Sequence, residues 1–182
     1  MSTYESINYS LRPAKHIERK MMIEVFRSLT MFGAVRSYRY IGFGSIYFSD
    51  FYLAHKYLGI TDMISIEKDE KNEERFKFNL PFNCIKMKFG NSLKVLPTLE
   101  WDRRSIIWLD YDGTLNKDVI SDIKLVCTHI TLGSLLIVTV SAIPNNKDTE
   151  DEEDPTSTMA VEALKKRVGE NNVPSAKSAI KS

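Results

Sequence analysis

Four short stretches of the chain carry residue types suited to handling a small ligand: Gly42-Phe43-Gly44-Ser45, Glu67, Gly90-Asn91-Ser92 and Asp110-Tyr111-Asp112. Paired glycines let the backbone come close to a ligand, and a helix starting just after them would aim N–H groups at it. Glu67 follows Gly44 by 23 residues. An acid about 20 residues beyond a glycine turn is the arrangement that hydrogen-bonds the two hydroxyls of a ribose. Asp69 and Glu70 offer the same chemistry close by, and any of the three is also explained as a helix-start acid favoured by the macrodipole. Asp110 and Asp112 could orient or deprotonate a reacting group, although Asp112-Gly113 is equally a plain turn signal.

These stretches gain meaning from the elements that must hold them. Ile17, Met21, Met22, Val25, Phe26 and Leu29 repeat at helical spacing after Pro13, with Gly33 as terminator. Tyr38-Arg39-Tyr40-Ile41 reads as a strand that delivers Gly42. Tyr47, Phe51, Ala54 and Leu58 mark a helix face stopped by Gly59. Met63 to Ile66 is a strand ending at Glu67, Asp69 to Phe78 a charged helix, and Cys84 to Lys88 a strand leading into Gly90. Ser105 to Leu109 is unalternating and apolar, as in a strand covered on both faces, and it ends at Asp110. Val119 to Ile130 reads as a helix and Leu135 to Val140 as another buried strand. Strands alternating with helices imply an α/β fold with a mostly parallel sheet and right-handed crossovers. In such a sheet ligands sit beyond the carboxyl ends of the strands, which is where all four stretches fall.

Strand, glycine turn, acidic strand end, Gly90-Asn91-Ser92 and Asp110 together resemble motifs one to four of the class I, Rossmann-like S-adenosylmethionine-dependent methyltransferases, with an O-methyltransferase-like character. The resemblance covers about residues 38 to 141. It implies a three-layer Rossmann-like sheet in the order 3-2-1-4-5 with S-adenosylmethionine as cofactor. By the same resemblance Gly42, Gly44 and Ser45 would cradle the methionine part of that cofactor, Glu67 would hold its ribose, Asn91 and Ser92 would meet the adenine, and Asp110 would lie beside the transferring methyl group. Asp110 is then the first candidate for catalysis and Asp112 the second, with Tyr111 as a wall of the site. No metal is implied. The sequence departs from the family pattern in Tyr40, which stands where an acid is expected, in Ile46, which replaces a third glycine, and in Asn91, which replaces an acid. Nothing after Pro155 reads as the sixth and seventh strands, so the C-terminal hairpin is missing or truncated.

Two other readings stay open. Asp110-Tyr111-Asp112-Gly113-Thr114-Leu115 after an apolar strand also matches the first motif of haloacid-dehalogenase-like phosphatases, in which Asp110 would be a nucleophile, Asp112 an acid/base and Mg²⁺ the metal, with Thr139 or Ser141 holding phosphate. The later acidic pair which that chemistry needs is available only in Asp148 to Asp154, with no apolar strand before it. The third reading is a non-catalytic binding or scaffold protein on a decayed methyltransferase fold.

Composition narrows the setting. Lys+Arg 25 against Asp+Glu 24 leaves a net charge of +1, with no global field for nucleic acid or an anionic membrane. Only the first forty residues have a basic surplus (Arg12, Lys15, Arg19, Lys20, Arg27, Arg36 and Arg39), which reads as a solvated helix face, although Arg12 and Lys15 could meet an anionic substrate. Cys84 and Cys127 lie in apolar runs with no ligand spacing and read as buried thiols. His16, His55 and His129 fall on helices and are assigned no catalytic part. No signal peptide or membrane span is legible, so a cytoplasmic protein is expected. The expected divisions are an N-terminal helical segment over 1–36, a cofactor-binding core over 37–144, and an acidic linker, weak helix and disordered tail over 145–182. The methyl acceptor is not legible, and a protein partner is left open.

Overall fold

The computed structural model describes residues 13–142 and 157–173. Its elements in chain order are α1 (Pro13–Arg27), β1 (Arg39–Phe43), α2 (Ser49–Leu58), β2 (Asp62–Glu67), α3 (Glu73–Phe78), β3 (Ile85–Phe89), α4 (Ser92–Val95), β4 (Ser105–Asp110), α5 (Lys117–His129), β5 (Leu135–Thr139) and α6 (Ser157–Val168). The five strands form one parallel sheet in the order β3-β2-β1-β4-β5. Chain order therefore reverses at β1, and a crevice must open where the crossovers leave in opposite directions. Register places Gly42 between Ser65 and Trp108, Glu67 beside Phe89, and Asp110 beside Thr139.

Successive strand residues point to opposite faces, so the inner strands feed two cores, while the edge strand β3 gives Ile85, Met87 and Phe89 to one and turns Lys86 and Lys88 outward. Tyr40, Met63, Ile106 and Trp108 pack with Phe26, Phe51, Ala54 and Phe76 beneath α1, α2 and α3. Ile41, Ile64, Ile66, Ile107 and Leu109 pack with Val95, Leu96 and Val126 beneath α4 and α5. Helices on both faces make the three-layer Rossmann-like architecture expected from the sequence. Each fully buried large apolar side chain contributes about 1.5–3 kcal/mol, so the doubly covered β1 and β4 anchor the fold.

Several local expectations are corrected. The helix α1 buries Arg19, Ile23 and Phe26, while Ile17 (57% exposed) and Met21 (64% exposed) face outward. At about 100° per residue those two lie on a different stripe from Ile23 and Phe26, so the apolar arc is wider than the docked face. It ends at Arg27 in a 3₁₀ turn, Ser28–Met31, and Gly33 lies beyond. Gly59 does close α2, with φ 69° and its N–H donating to the His55 carbonyl at 3.0 Å. Gly42 lies inside β1 rather than in a turn. The expected helix Asp69–Phe78 divides into a 3₁₀ turn, Glu70–Asn72, and α3, because Asn72 donates to Asp69 Oδ2 at 2.7 Å and draws the chain out of the α-helical ladder.

The basic surplus of the first forty residues is not all solvated. Arg39 is buried and bonds Asp62 Oδ2 at 2.9 Å and the Glu100 carbonyl at 2.6 Å, joining loops at the amino ends of the strands. Cys127 is exposed, since on α5 it is Val126 that turns to the core, and Cys84, in the turn before β3, is only half-buried. After α6 a 3₁₀ turn, Glu170–Asn172, folds back: Asn172 bonds the Val168 carbonyl and accepts from Lys124 Nζ at 3.0 Å. Asp148 to Asp154 lies outside the described residues. Among the described residues β5 is the last strand and ends the sheet, and no helix is long and apolar enough to cross a membrane.

Candidate functional site

The cleft lies over the carboxyl ends of β1, β2 and β4, at the reversal of strand order. It encloses about 270 Å³ and is walled by Gly44, Ser45, Glu67, Asn91, Ser92, Asp110 and Asp112, with Arg19 and Asp50 reaching in from α1 and α2. Of the residues that the methyltransferase resemblance assigns to the site, only Gly42 is not on its wall. A Cβ there would meet the Tyr40 ring at 3.3 Å and the Trp108 carbonyl at 3.4 Å, so packing between neighbouring strands explains that glycine. Tyr40 itself is buried, edge-on to Phe51 with ring centroids 5.0 Å apart, and takes no part in the cleft.

Gly44 carries β1 over the end of β2, its N–H donating to the Ile66 carbonyl at 2.7 Å. A Cβ at this position would stand 2.8 Å from Ser65 Oγ and 3.4 Å from Glu67 Oε2. The close crossing brings the chain against the Glu67 carboxylate. From there the backbone turns through Phe48, whose left-handed conformation (φ 47°, ψ 32°) is uncommon for a bulky residue. Its ring is buried against Phe51, which holds the turn and sets Asp50 into the first helical turn of α2 facing the cleft.

Glu67 is 6% exposed and accepts from the Asp69 N–H at 2.9 Å. Burial raises its pKa above the usual carboxylate value, with the Asp69 and Lys68 N–H groups and the Lys68 charge working against the rise. The two substitutes lie elsewhere: Asp69 is occupied by Asn72, Glu70 is exposed, and neither walls the cleft. The Glu67 carbonyl accepts from the Gly90 N–H at 2.9 Å, which brings the loop after β3 alongside. Asn91 then caps α4, its Oδ1 accepting from the Leu93 N–H at 3.0 Å. Tyr111 and Phe43 meet edge to face at 4.9 Å as a further wall. The Tyr111 hydroxyl donates to Asp122 at 2.7 Å, and burial first, then that carboxylate, pushes its pKa far up.

At the β4 end stands a cluster absent from the sequence reading. Arg19 of α1, only 2% exposed, donates from Nη2 to Asp110 Oδ2 at 3.3 Å and pairs through Nε with Asp50 Oδ1. Its guanidinium lies 5.4 Å from the centre of the Trp108 ring, a cation–π contact. Burial raises the pKa of both aspartates, and in both the Arg19 charge opposes the rise. Arg19 carried a usable signal: with Ile23 and Phe26 it falls on one helical stripe, so a docked α1 had to bury it. Asp50 and Trp108 carried none without the tertiary fold.

The phosphatase alternative finds little support here. Asp110 is engaged by a buried guanidinium, Asp112 is exposed, and the Thr139 hydroxyl accepts from Trp108 Nε1 at 3.0 Å. No cluster of three His, Cys, Asp or Glu side chains suited to a metal occurs among the described residues.

A family model described as "Putative O-methyltransferase" matches residues 7–181. Two solved structures are similar. Cofactor-bound Rv0187 from MTB superposes with a TM-score of 0.50 at 16% identity, over 84% of this chain and 75% of that one. SAM-bound CalS10, an amino pentose methyltransferase from Micromonospora echinaspora, superposes with a TM-score of 0.52 at 11% identity, over 78% of this chain. This chain spans about half of CalS10, 54% of its length. At these identities the likeness concerns the fold alone. No curated protein matches the chain significantly.

Proposed function

The chain belongs to the O-methyltransferase family whose model spans it, and on that premise we propose that it transfers the methyl group of S-adenosylmethionine to a hydroxyl oxygen in the cleft at the carboxyl edge of the sheet. The observation that carries the proposal is convergence. Gly44, Glu67, Asn91 and Asp110 come from four separate strand ends and wall one cleft at the point where strand order reverses.

The donor set suits that cofactor. Five carboxylates wall the cleft (Asp50, Glu67, Asp110, Asp112 and Asp118) against Arg19 and Lys68, a balance that favours a sulfonium cation. Glu67 would accept from the ribose hydroxyls, Asn91 and Ser92 would meet the base edge, and Phe43, Ile66 and Val119 offer apolar surface to the ring. When bound, the cofactor supplies an already activated methyl group. The protein then contributes alignment and a place for the acceptor's proton. Asp110, held by Arg19 at the cleft wall, orients the acceptor hydroxyl and takes its proton; Asp112, exposed at the same wall, is second in line.

Calorimetric titration of the whole chain with S-adenosylmethionine tests the reading, followed by transfer of a labelled methyl group to a panel of hydroxyl and amine acceptors. Absence of cofactor binding by folded protein overturns it. Transfer to amines alone overturns the oxygen assignment and leaves the cofactor.

A further inference from the structure

Two carboxylates share one guanidinium at the β4 end of the cleft. Asp50, the second residue of α2, and Asp110, the last of β4, both pair with Arg19. The three side chains sum to one negative charge. Arg19 is 2% exposed, and the aspartate side chains are 20% and 27% exposed, so that charge is only partly screened by water. Among the described residues Lys15 also acts on Asp110, but it is paired with Glu18 at 2.8 Å, whose charge opposes it, and Asp112 adds a further carboxylate close by. Lys68 offsets Glu67, while Asp112 and Asp118 add negative charge along the wall. The cleft is therefore negative on the whole, and at the β4 end the excess is gathered in one cluster beside Trp108.

We propose that the Asp50–Arg19–Asp110 cluster is a receptor for positive charge, which makes the cleft prefer a sulfonium donor to the neutral thioether left after transfer. The proposal rests on reading the cleft as an S-adenosylmethionine site and adds to it a basis for discrimination. Donor and demethylated product share the ribose, the base and the amino-acid tail. Contacts with Glu67, Asn91 and the apolar walls therefore bind both alike and cannot separate them. The two ligands differ by one methyl group and one positive charge. The excess charge of the cluster acts on that difference, so it strengthens the hold on the donor and leaves the hold on the product little changed. Arg19 keeps the pair of aspartates together in the absence of ligand, since two uncompensated carboxylates at this depth would repel.

The test is a pair of calorimetric titrations of the whole chain, with S-adenosylmethionine and with S-adenosylhomocysteine, repeated on Asp50→Asn and Asp110→Asn. The expected result is that the wild type binds the sulfonium at least about tenfold more tightly, which is about 1.4 kcal/mol. Each variant should lose most of that ratio while still binding the thioether at near wild-type affinity. Equal affinities in the wild type overturn the proposal and leave the cofactor reading standing. Failure of both ligands to bind overturns the cofactor reading itself. A ratio unchanged in both folded variants also overturns the proposal, because the discrimination then lies elsewhere. The wild-type comparison decides the matter even if a variant does not fold.

Discussion

Arg19 and Asp110 are 91 residues apart in the chain and meet at 3.3 Å, one from the opening helix and one from the end of the fourth strand. The contact makes α1 a wall of the cleft rather than an appendage to the sheet. It also makes the charge state of Asp110 depend on a helix that the strand-end motifs do not include. Arg19→Met should therefore leave Asp50 and Asp110 without their shared cation. Removing one partner of a buried pair costs about 3–5 kcal/mol. Partial exposure of the two carboxylates lowers the expected loss to about 2–3 kcal/mol. Urea unfolding at neutral pH measures it, and Arg19→Lys should recover part of the loss, because Lys restores the charge but not the two-armed geometry.

Glu67→Ala should weaken S-adenosylmethionine binding by about two decades or more while leaving the fold intact. A hydrogen bond to a charged group is worth about 1.5–3 kcal/mol, and a ribose would make two. The fold should survive because the strand is held by its ladder to β1 and β3, and the carboxylate itself is matched internally only to loop N–H groups. Titration calorimetry alongside circular dichroism reads both. Wild-type affinity in a folded variant removes Glu67 from the site.

Gly44→Ala tests the crossing of β1 over β2. The new methyl group would lie 2.8 Å from the hydroxyl of fully buried Ser65, which has little freedom to move away. Overpacking of this kind costs about 1–3 kcal/mol and would displace the neighbouring Glu67. Both stability and cofactor affinity should fall. Adding Ser65→Ala opens the space, so the double variant should recover most of both; simple additivity of the two single effects would rule out the steric account.

Most of this cleft was legible because topology does the positioning. An unalternating run such as Ser105 to Leu109 has to lie in the covered centre of a parallel sheet, and whatever ends it, here Asp110, must sit at the ligand edge. The same logic located Glu67, and the register confirms both strand ends. Gly42 was misplaced for a physical reason: the β1 ladder continues through Phe43, and two glycines on either side of one residue do not reveal which of them turns the chain. Asp50 was out of reach, and Arg19 was passed over despite sharing a helical stripe with Ile23 and Phe26, for another reason. An ion pair spanning different elements leaves no periodicity, and a charged residue within a basic stretch looks solvated until its helix is docked. The burial of Cys127 was misjudged because an apolar run in a helix has an outward side, and that of Cys84 because it lies in the turn before β3 begins.

Ionisation links the site to stability. Burial raises the native pKa values of Asp50, Glu67 and Asp110 above ordinary values of 3.8, 4.5 and 3.8. The folded chain then holds these protons more tightly than the unfolded chain. The resulting stabilisation is complete below the unfolded values and is lost as pH rises through the raised native ones. Within that window wild type should lose stability relative to Asp50→Asn as pH increases, which denaturant curves at stepped pH would show. A cation entering the cleft favours the ionised forms, so S-adenosylmethionine binding in the same window should release protons. Calorimetry in two buffers of different ionisation enthalpy measures that release, and proton uptake on binding would contradict the sign.

The final prediction concerns what Asp110 does. As a phosphatase nucleophile it would attack phosphorus directly, and Asp110→Asn would abolish a Mg²⁺-dependent hydrolysis of simple phosphate esters. As the aspartate of a methyl-transfer site it works through hydrogen bonds and proton acceptance. Wild type should then hydrolyse no phosphate ester, and Asp110→Asn should keep cofactor binding within about tenfold, because an amide oxygen still accepts a hydrogen bond. Methyl transfer to an acceptor hydroxyl should fall much further, since the amide cannot take the proton. The geometry favours the second pattern. A guanidinium against the carboxylate occupies one oxygen, and of the two hydroxyls, Thr139 and Ser141, that a phosphatase could use for phosphate, Thr139 accepts from Trp108. Measuring p-nitrophenyl phosphate hydrolysis with and without Mg²⁺, in wild type and in Asp110→Asn, separates the two, and strong metal-dependent turnover lost in the variant would overturn the methyl-transfer assignment of this residue.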